Sequence, residues 1–280
     1  MHHYPPHFEL PAAAYLLDGD GAFVSTQLTA GPWDPNGQHA GATAALLAHC
    51  MEQHDLAPGV TPFLARLTVD LLRPAPVAAL HVDVRTVRAG RRAHWLEATL
   101  RADGPDGPRD VARATGLRVV GDPSHLGGVS LPSSPASDRP PPPESVAPAD
   151  GGHDAPWLMF WHGIDFRPFK GERDVPGPGG VWFNLEASLV AGVENTPLMR
   201  TVTAADFALG ISSVLPFDAF AYPNADLSVH LHRYPAGPWV ALDAVSHVDP
   251  VSGTASSEAA LWDKRGRIGR AVQSLVVSAR

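Results

Sequence analysis

The stretch from 201 to 215 carries the carboxylate of Asp206 inside a largely apolar segment, where it could act on a bound substrate. Its large apolar residues recur with helical spacing: Phe207, Ile211, Val214 and Leu215. This spacing predicts a helix over 201–215 that buries one stripe. Asp206, Gly210 and Ser213 would share a neighbouring face of that helix. A carboxylate beside a glycine can lie against a substrate without side-chain bulk in the way.

The same carboxylate also has a purely structural interpretation. Thr203 stands three residues before Asp206, which is the spacing of a capping box in which the acid supports the start of a helix. The stretch alone leaves both interpretations open, so the elements around it have to decide between them.

Composition limits the classes of function. With 280 residues, 44 % hydrophobic and 18 % charged, the chain has the profile of a soluble globular protein with room for two domains. A net charge of -8 without a Lys/Arg run argues against nucleic acid or an anionic membrane surface as the main partner. No apolar run approaches the roughly 20 residues of a membrane span, and no signal-peptide pattern opens the sequence, so we expect a cytoplasmic protein. The single Cys50 excludes an intramolecular disulfide.

The first 121 residues predict one helix and an antiparallel sheet. Residues 14–26 read as a hairpin with its turn at 18–21, and the Ala/Leu-rich segment 38–52 predicts a tightly buried helix. Alternating runs separated by Pro and Gly then predict four strands, at 64–73, 79–87, 93–102 and 110–120. A helix followed by a long meander is an α+β layout in which the sheet curls around the helix.

A Pro/Ser-rich segment over 122–156 separates this unit from the rest of the chain. It includes four consecutive prolines and has little apolar material to bury. We interpret it as a linker, with a polyproline ligand for another protein as the alternative. The predicted domains are therefore 1–121 and 157–280, joined by 122–156.

The element order repeats beyond the linker. Strands are predicted at 159–167 and 181–187, then the helix over 201–215, then strands at 225–233, 239–248, 254–262 and 268–278. The segment 67–73 (LTVDLLR) lines up with 227–233 (LSVHLHR). Two copies of one fold unit can pair their sheets edge to edge, so the chain is interpreted as a covalent pseudo-dimer.

Three separated motifs give this layout a family resemblance. They are Ala205–Phe207 in the helix, Asn224–Arg233 in the following strand and Asp263–Gln273 in the last two strands. In this order, on a duplicated sheet-wrapped helix, they resemble the acyl-CoA thioesterases of the thioesterase II type. The resemblance implies an α+β double hotdog, an acyl-CoA substrate and no cofactor. It also allows homo-oligomers formed by further pairing of the sheets.

The resemblance implies a water-activating site. In that family an Asp, a Thr and a Gln hold a water that attacks the thioester, and helix N–H groups steady the oxyanion. Asp206 and Gln273 match the first and last, whereas Asn224 stands at the Thr position; its amide oxygen can hold a water, but it has no hydroxyl. In the first copy Leu64 stands at the Asn224 position and Thr115 near the Gln273 position, so one site per chain is expected.

Local roles remain open for two of these residues. Asn224 follows Pro223 at a strand entry, where Asn commonly forms an Asx-turn. Gln273 alternates with apolar residues and must find a buried partner, for which a backbone group would suffice.

The predicted substrate contacts come from several elements. Asn36 and Gly37 either simply turn the chain into the first helix or present free N–H groups to a thioester carbonyl. Gly210 would line the site beside Asp206. Arg233, with Arg66 and Arg73, is a candidate partner for the CoA phosphates.

Two rival functions use the same architecture. The run from Asp34 to His39 (DPNGQH) resembles the signature of hotdog enoyl-CoA hydratases, with Gly37 where a Pro belongs, and hydration needs an Asp and a His on one water. A non-catalytic acyl-CoA or lipid-binding module is the other rival, and Asn224 in place of Thr is its main support.

Other catalytic classes lack their signals. His230, His232 and His247 could suggest a metal site, but no third and fourth ligand is well placed, so no metal is expected. The sequence has no Gly-x-Ser-x-Gly elbow and no phosphate-binding glycine loop, and Cys50 lies on an apolar helix face.

Overall fold

The computed structural model describes residues 8–54, 63–130, 138–149, 156–172 and 175–280. Two pieces of the predicted linker, 131–137 and 150–155, lie outside the described residues. The helices are α1 (Ala40–Gln53), α2 (Pro197–Ala205) and α3 (Ala208–Ile211). The strands are β1 (Tyr15–Leu17), β2 (Phe23–Ser25), β3 (Phe63–Leu71), β4 (Ala79–Ala89), β5 (Ala93–Ala102), β6 (Arg109–Val119), β7 (Ile164–Lys170), β8 (Gly179–Leu185), β9 (Phe220–Ala221), β10 (Asp226–Leu231), β11 (Trp239–Val248), β12 (Ala255–Asp263), β13 (Gly266–Leu275) and β14 (Ser278–Ala279).

Twelve of these strands form one antiparallel sheet around two helices. The strand order is β1-β2-β4-β5-β6-β3-β10-β13-β12-β11-β8-β7. Helix α1 packs on β3 to β6, helix α2 packs on the strands of the second half, and the two helices contact each other. The alanines of α1 are almost fully buried, so the sheet approaches this helix closely. The α+β layout of two sheet-wrapped helices is confirmed.

The two copies meet at β3 and β10. Leu67 lies opposite Val229, and Val69 lies opposite Leu227. Thr68 faces its repeat equivalent Ser228, whose hydroxyl donates to the Thr68 hydroxyl at 3.2 Å. In the repeat, Leu67 corresponds to Leu227 and Val69 corresponds to Val229, so the pairing stays the same when the two strands are exchanged. A pseudo-two-fold axis therefore passes between these two hydroxyls. The covalent pseudo-dimer is therefore confirmed in its geometry.

The predicted elements of the first half are confirmed to within two residues at each end. The second half differs most at the helix predicted for 201–215, which was wrong in both its start and its continuity. Helix α2 begins at Pro197 because Thr196 caps it, its hydroxyl accepting the Met199 N–H at 3.2 Å, and Pro suits the first helical position. The helix then ends at Ala205, and α3 is a separate short turn.

This shift decides between the two interpretations of Asp206. Thr203 lies in the interior of α2, and Asp206 is the residue that closes the carboxyl end of the helix. The capping-box interpretation, in which the acid supports a helix start, is therefore wrong.

Part of the predicted linker packs on the second half of the sheet. The carbonyl of Pro141 accepts the Trp182 indole N–H at 2.8 Å, and the carbonyl of Pro143 accepts from the Arg167 guanidinium at 2.9 Å. The Ala149 N–H donates to the Phe166 carbonyl at 2.8 Å. Residues 138–149 thus form a strap with a fixed place on this half, in addition to their connecting role.

Within the described ranges, no helix is both long enough and apolar enough to cross a bilayer.

A buried ion pair ties the end of β10 to the turn between β12 and β13. Arg233 donates through both terminal nitrogens to Asp263, at 2.5 and 2.6 Å, and also to the Gly266 carbonyl. Burial alone would raise the pKa of Asp263, but the bonds from Arg233 and from the Ala236 and Arg265 N–H groups outweigh it and lower the pKa below its ordinary value. A lowered folded-state pKa means stabilisation that is present at neutral pH and lost as the pH falls through that lowered value.

We therefore predict that Arg233→Gln lowers the free energy of unfolding by about 3 kcal/mol at pH 7, because it leaves a buried carboxylate without its cation. Urea denaturation followed by circular dichroism measures this, and the difference from wild type should shrink on acidification. Arg113→Gln is the matched control, since Arg113 pairs with Asp110 at an exposed site and should contribute less than about 1 kcal/mol. Equal losses in the two variants would contradict the prediction.

Candidate active site

The candidate site is built around the carboxylate of Asp206. Its side chain is only 2 % exposed, and it stands at the carboxyl end of α2, where the helix dipole disfavours a negative charge. A buried carboxylate in that position needs several donors. Its surroundings supply them from both halves of the chain.

Two amide side chains of the second half hold one carboxylate oxygen. Asn224, just before β10, donates to Asp206 Oδ1 at 2.8 Å, and Gln273 on β13 donates to the same oxygen at 3.1 Å. The Asn224 amide also donates to the Asp226 carbonyl at 3.2 Å, which is a local contact of opposite direction to the expected Asx-turn, in which the side-chain oxygen would accept. Gln273 is fully buried and also donates to the Asp206 carbonyl. The structure thus brings together the three residues that the family resemblance singled out.

The first half supplies a histidine to the other carboxylate oxygen. His39 precedes α1, and its Nδ1 lies 3.1 Å from Asp206 Oδ2. The imidazole is 11 % exposed and stacks on Phe207, with ring centroids 4.6 Å apart. Sequence reasoning connected His39 only with Asp34 of the hydratase signature and missed its contact with Asp206. No local signal could reveal that contact, because it depends on how α1 packs against α2.

The Nδ1 atom of His39 has two competing neighbours. It accepts the Gly41 N–H at 3.0 Å, which caps α1, and it lies equally near the Asp206 carboxylate. A nitrogen without a proton can accept from Gly41, whereas a protonated one can donate to Asp206, and it cannot do both. The position of one proton therefore decides whether the imidazole caps the helix or binds the carboxylate.

Gly41 allows the close approach of α1 to Asp206. A Cβ added at this position would lie 3.1 Å from His39 Nδ1, 3.2 Å from Asp206 Cβ and 3.3 Å from Asp206 Oδ2. These distances are shorter than ordinary van der Waals contacts between side chains. The backbone of α1 can reach the carboxylate only because it has no side chain here.

Some polar atoms beside the carboxylate keep their hydrogen-bonding capacity. Gln273 Oε1 is buried and has no partner among the described residues, and the same holds for Ser257 Oγ, directly across β12 and β13, and for Thr203 Oγ1 on α2. Buried polar atoms in native proteins are nearly always hydrogen-bonded. The Gln273 oxygen is thus a ready acceptor next to Asp206.

The predicted N–H donors before α1 are already used by the chain. The Asn36 N–H donates to Asp34 Oδ1 at 2.8 Å, and the Gly37 N–H donates to the Asp34 carbonyl at 3.0 Å. The expectation that they present free N–H groups to a thioester was therefore wrong, because both close the turn into α1. Asp34 is exposed, and its carboxylate holds this turn.

The other predicted substrate contacts lie apart from Asp206. Gly210 is exposed in α3, and a Cβ there would meet nothing within 4 Å. Ser213 bonds to the Tyr222 hydroxyl at 2.5 Å, so the small polar face expected for Asp206, Gly210 and Ser213 does not form. The guanidinium of Arg233 is occupied by Asp263, which supports a structural role in place of the predicted phosphate contact.

The equivalent position in the first copy is apolar. Thr115 faces Thr68 as Val272 faces Ser228, so Gly116, the residue after Thr115, corresponds to Gln273. A Cβ on Gly116 would meet Met51 Sδ at 2.9 Å and Leu64 Cδ1 at 3.1 Å. This copy packs hydrocarbon where the second copy holds its amides.

The remaining histidines do not gather into a metal-binding group. His230 and His232 are both exposed on the outer face of the sheet. Within the described ranges, no three His, Cys, Asp or Glu residues come close enough together to hold an ion.

Comparison with protein families gives two matches that together span most of the chain. Residues 29–119 match the acyl-CoA thioesterase N-terminal domain, and residues 138–277 match the acyl-CoA thioesterase C-terminal domain. The second match begins at the strap that packs on the second half of the sheet. A comparison with curated proteins finds no match.

Solved structures of similar fold agree with this assignment. A protein assigned as thioesterase II from Thermobifida fusca has a TM-score of 0.68 at 17 % identity, covering 95 % of this chain and 96 % of its own. A hot dog fold protein from Alicyclobacillus acidocaldarius gives 0.68 at 18 % identity, with 96 % of both chains covered. An acyl-CoA thioesterase II from Mycobacterium marinum gives 0.60 at 14 % identity, covering 86 % of this chain and 90 % of its own. At such identities the likeness establishes the α+β double hotdog fold.

The close packing at Gly41 predicts that replacing this residue by Ala changes the stability in the direction opposite to the usual one. Replacing Gly by Ala in a helix normally stabilises it by up to about 1 kcal/mol. We expect Gly41→Ala to be destabilising instead, because the added methyl meets the Asp206 carboxylate and the His39 ring. Thermal unfolding measures both directions. Gly210→Ala is the control, since its methyl enters open space and should be neutral or stabilising. A stabilised Gly41→Ala would show that α1 does not approach Asp206 this closely.

Proposed function

The chain belongs to the acyl-CoA thioesterase family, and from that membership we propose that it hydrolyses acyl-CoA by attack of a water held at Asp206, Asn224 and Gln273. Thioester hydrolysis converts the substrate to a carboxylate and a free thiol and needs no cofactor. The observation that carries the proposal is the meeting of Asn224, Gln273 and His39, which come from both halves of the chain, on one buried carboxylate.

Asp206 is the general base of the proposed reaction. Its Oδ1 is engaged by two amides, which stabilises the charge and fixes the carboxylate, so Oδ2 is the oxygen that takes the proton. The oxygen atoms of the Gln273 and Asn224 amides can each accept a hydrogen bond from the attacking water. The water oxygen then bonds to the thioester carbon, one of its protons passes to Asp206, and the carbonyl electrons move onto oxygen.

The amino end of α1 is the proposed binding site of the oxyanion. The Ala42 N–H donates to the His39 carbonyl and the Gly41 N–H to the His39 ring. Of the first three N–H groups of this helix, only that of Ala40 has no acceptor among the described residues. A helix amino end carries partial positive charge, so the Ala40 N–H is the proposed oxyanion donor.

His39 completes the proposed proton path. When the tetrahedral intermediate collapses, the carbon–sulfur bond breaks and the thiolate needs a proton. The proton taken from water can pass from Asp206 Oδ2 to His39 Nδ1, which is 3.1 Å away. The imidazole then passes a proton to the sulfur, which leaves as the free thiol.

The first test removes the base. We expect Asp206→Asn, and likewise Asp206→Ala, to reduce thiol release from acyl-CoA by roughly 10²- to 10⁴-fold, the usual contribution of a general base. The melting temperature of Asp206→Asn should be unchanged or raised, because the buried charge is removed while an amide oxygen remains to accept from Asn224 and Gln273. Asp206→Ala leaves these two buried donors without an acceptor and should be less stable than Asp206→Asn. Thiol release across acyl-CoA chain lengths, followed with a thiol reagent, gives both the rate and the preferred chain. Full activity in the folded variants would end the proposal.

The second test separates the imidazole from its capping role. Asn is a good N-cap residue, so His39→Asn should keep α1 stable while removing the proton carrier. We expect kcat for thiol release to fall at least about tenfold with an unchanged melting temperature, at the low end of general acid–base contributions. Asp34→Ala is the control and should leave kcat as it is. Unchanged kcat in His39→Asn would leave the imidazole only a structural part.

The same substrates discriminate the rival functions. Hydration of an enoyl-CoA such as crotonyl-CoA, read from the loss of its conjugated absorbance, would favour the hydratase reading of His39. A catalytic role of Asp34 in hydration is disfavoured, because its carboxylate already accepts the Asn36 N–H and so holds the turn before α1. Binding of acyl-CoA without thiol release or hydration would identify a binding module.

A further inference from the structure

A partly exposed aromatic cluster, formed by residues that precede and follow parts of the candidate site in the sequence, has no role in the proposed hydrolysis. It consists of Trp33, Phe217 and Tyr222, called here the aromatic platform. The ring centroid of Trp33 lies 6.1 Å from that of Phe217 and 6.2 Å from that of Tyr222. Phe217 stacks on Tyr222 with their ring centroids 4.9 Å apart. Trp33 and Phe217 remain 38 % and 40 % exposed. Large aromatic side chains clustered at a surface mark a binding surface more often than a packing one.

The platform is rigid on its inner side. Tyr222 is 2 % exposed, and its hydroxyl bonds to Ser213 at 2.5 Å and to the Leu215 carbonyl at 2.6 Å. One face of Phe217 lies nearly parallel on this fixed ring, at an interplanar angle of 18°. The exposed part of Phe217 is thus held in place for a planar ligand, with little rotational freedom to lose on binding.

The platform residues are close in sequence to site residues from both halves of the chain. Tyr222 is two residues before Asn224, which holds Asp206, and Trp33 is in the turn that leads to His39. Short stretches of chain thus join the platform to residues on both sides of the site.

A cation stands over the same surface. The Arg280 guanidinium lies 5.3 Å from the Trp33 ring centroid. Strands β14 and β9 pair with each other outside the large sheet, and the Arg280 N–H donates to the Ala219 carbonyl, which fixes this arginine near the platform. Arg280 is exposed, and none of the ion pairs seen between described residues includes it. Asp34 and Asp218 follow Trp33 and Phe217 in the sequence and carry negative charge. Arg280 therefore has to supply the positive charge for a phosphate contact at the platform.

We propose that the aromatic platform and Arg280 bind the nucleotide end of CoA, with adenine stacked on Phe217 and Trp33 and a phosphate paired with Arg280. This inference rests on the proposed function, because it assigns the carrier of the same thioester. Exposed aromatic rings bind bases through their π faces, and Arg pairs with phosphate oxygens through two parallel N–H bonds. The enzyme then selects thioesters of CoA over the same acyl group on pantetheine.

The test compares acyl-CoA with the matching acyl-pantetheine in steady-state kinetics. Phe217→Leu keeps apolar packing and removes the ring, and we expect KM for acyl-CoA to rise about tenfold or more with kcat retained. Kinetics on acyl-pantetheine should not change, and Phe217→Tyr should restore the low KM. Arg280→Gln should raise KM for acyl-CoA more than for dephospho-CoA or pantetheine thioesters if the 3′-phosphate is its partner, and equally for both CoA forms if the diphosphate is.

Arg88→Gln is the matched control, because Arg88 lies 5.2 Å over the Trp95 ring in the first half and should leave both substrates unaffected. Equal effects of Phe217→Leu on acyl-CoA and acyl-pantetheine, or no effect on either, would overturn the proposal. Absence of thiol release from both substrates in the wild type would instead count against the proposed function. Calorimetric titration with free CoA then tests the platform proposal separately from catalysis. Weaker CoA binding in Phe217→Leu than in wild type would support the proposal. Equal binding in the two proteins, or no binding in the wild type, would refute it.

Discussion

A buried carboxylate at the unfavourable end of a helix is the feature on which the rest of this structure depends. Asp206 lies where the dipole of α2 repels it, with almost no access to water. It is tolerated because two amides and an imidazole converge on it, and they come from elements distant in the chain. Buried charged groups that are held by several hydrogen-bonding partners are typical of active sites.

The duplication explains how those supports reach one point. The seam at Thr68 and Ser228 fixes the two half-sheets about a pseudo-two-fold axis and so lays α1 beside α2. Because the halves are joined in one chain, they have been free to diverge. The first half contributes His39 and the side-chain-free helix surface at Gly41, while its own counterpart of the site is filled by Met51 and Leu64. One half supplies packing and an imidazole, and the other supplies the carboxylate and its amides.

The errors of sequence reasoning concentrate at the site itself. The apolar spacing after Phe207 continued the helical pattern, so the break behind Asp206 had no signal in composition. The start signal at Thr196 and Pro197 was available in the sequence, and recognising it would have placed Asp206 at the carboxyl end of the helix. Asn36, Gly37 and Arg233 were plausible ligand contacts by residue type, but turn closure and the ion pair with Asp263 already use their polar groups.

The sequence by itself determined the duplicated α+β architecture and the order of the strands along the chain. These follow from periodicity, from turn residues and from a repeat, all of which are local or self-similar patterns. The resemblance of three motifs added the family, with Asp206 and Gln273 at matching positions and Asn224 in place of a Thr. Only the tertiary structure decided that His39 meets Asp206, that Gly41 makes room for it and that Trp33 joins Phe217 beside Arg280. Each of these contacts crosses between the two halves or between distant segments, and its geometry is set by sheet register and helix packing, for which no short stretch of residues carries a code.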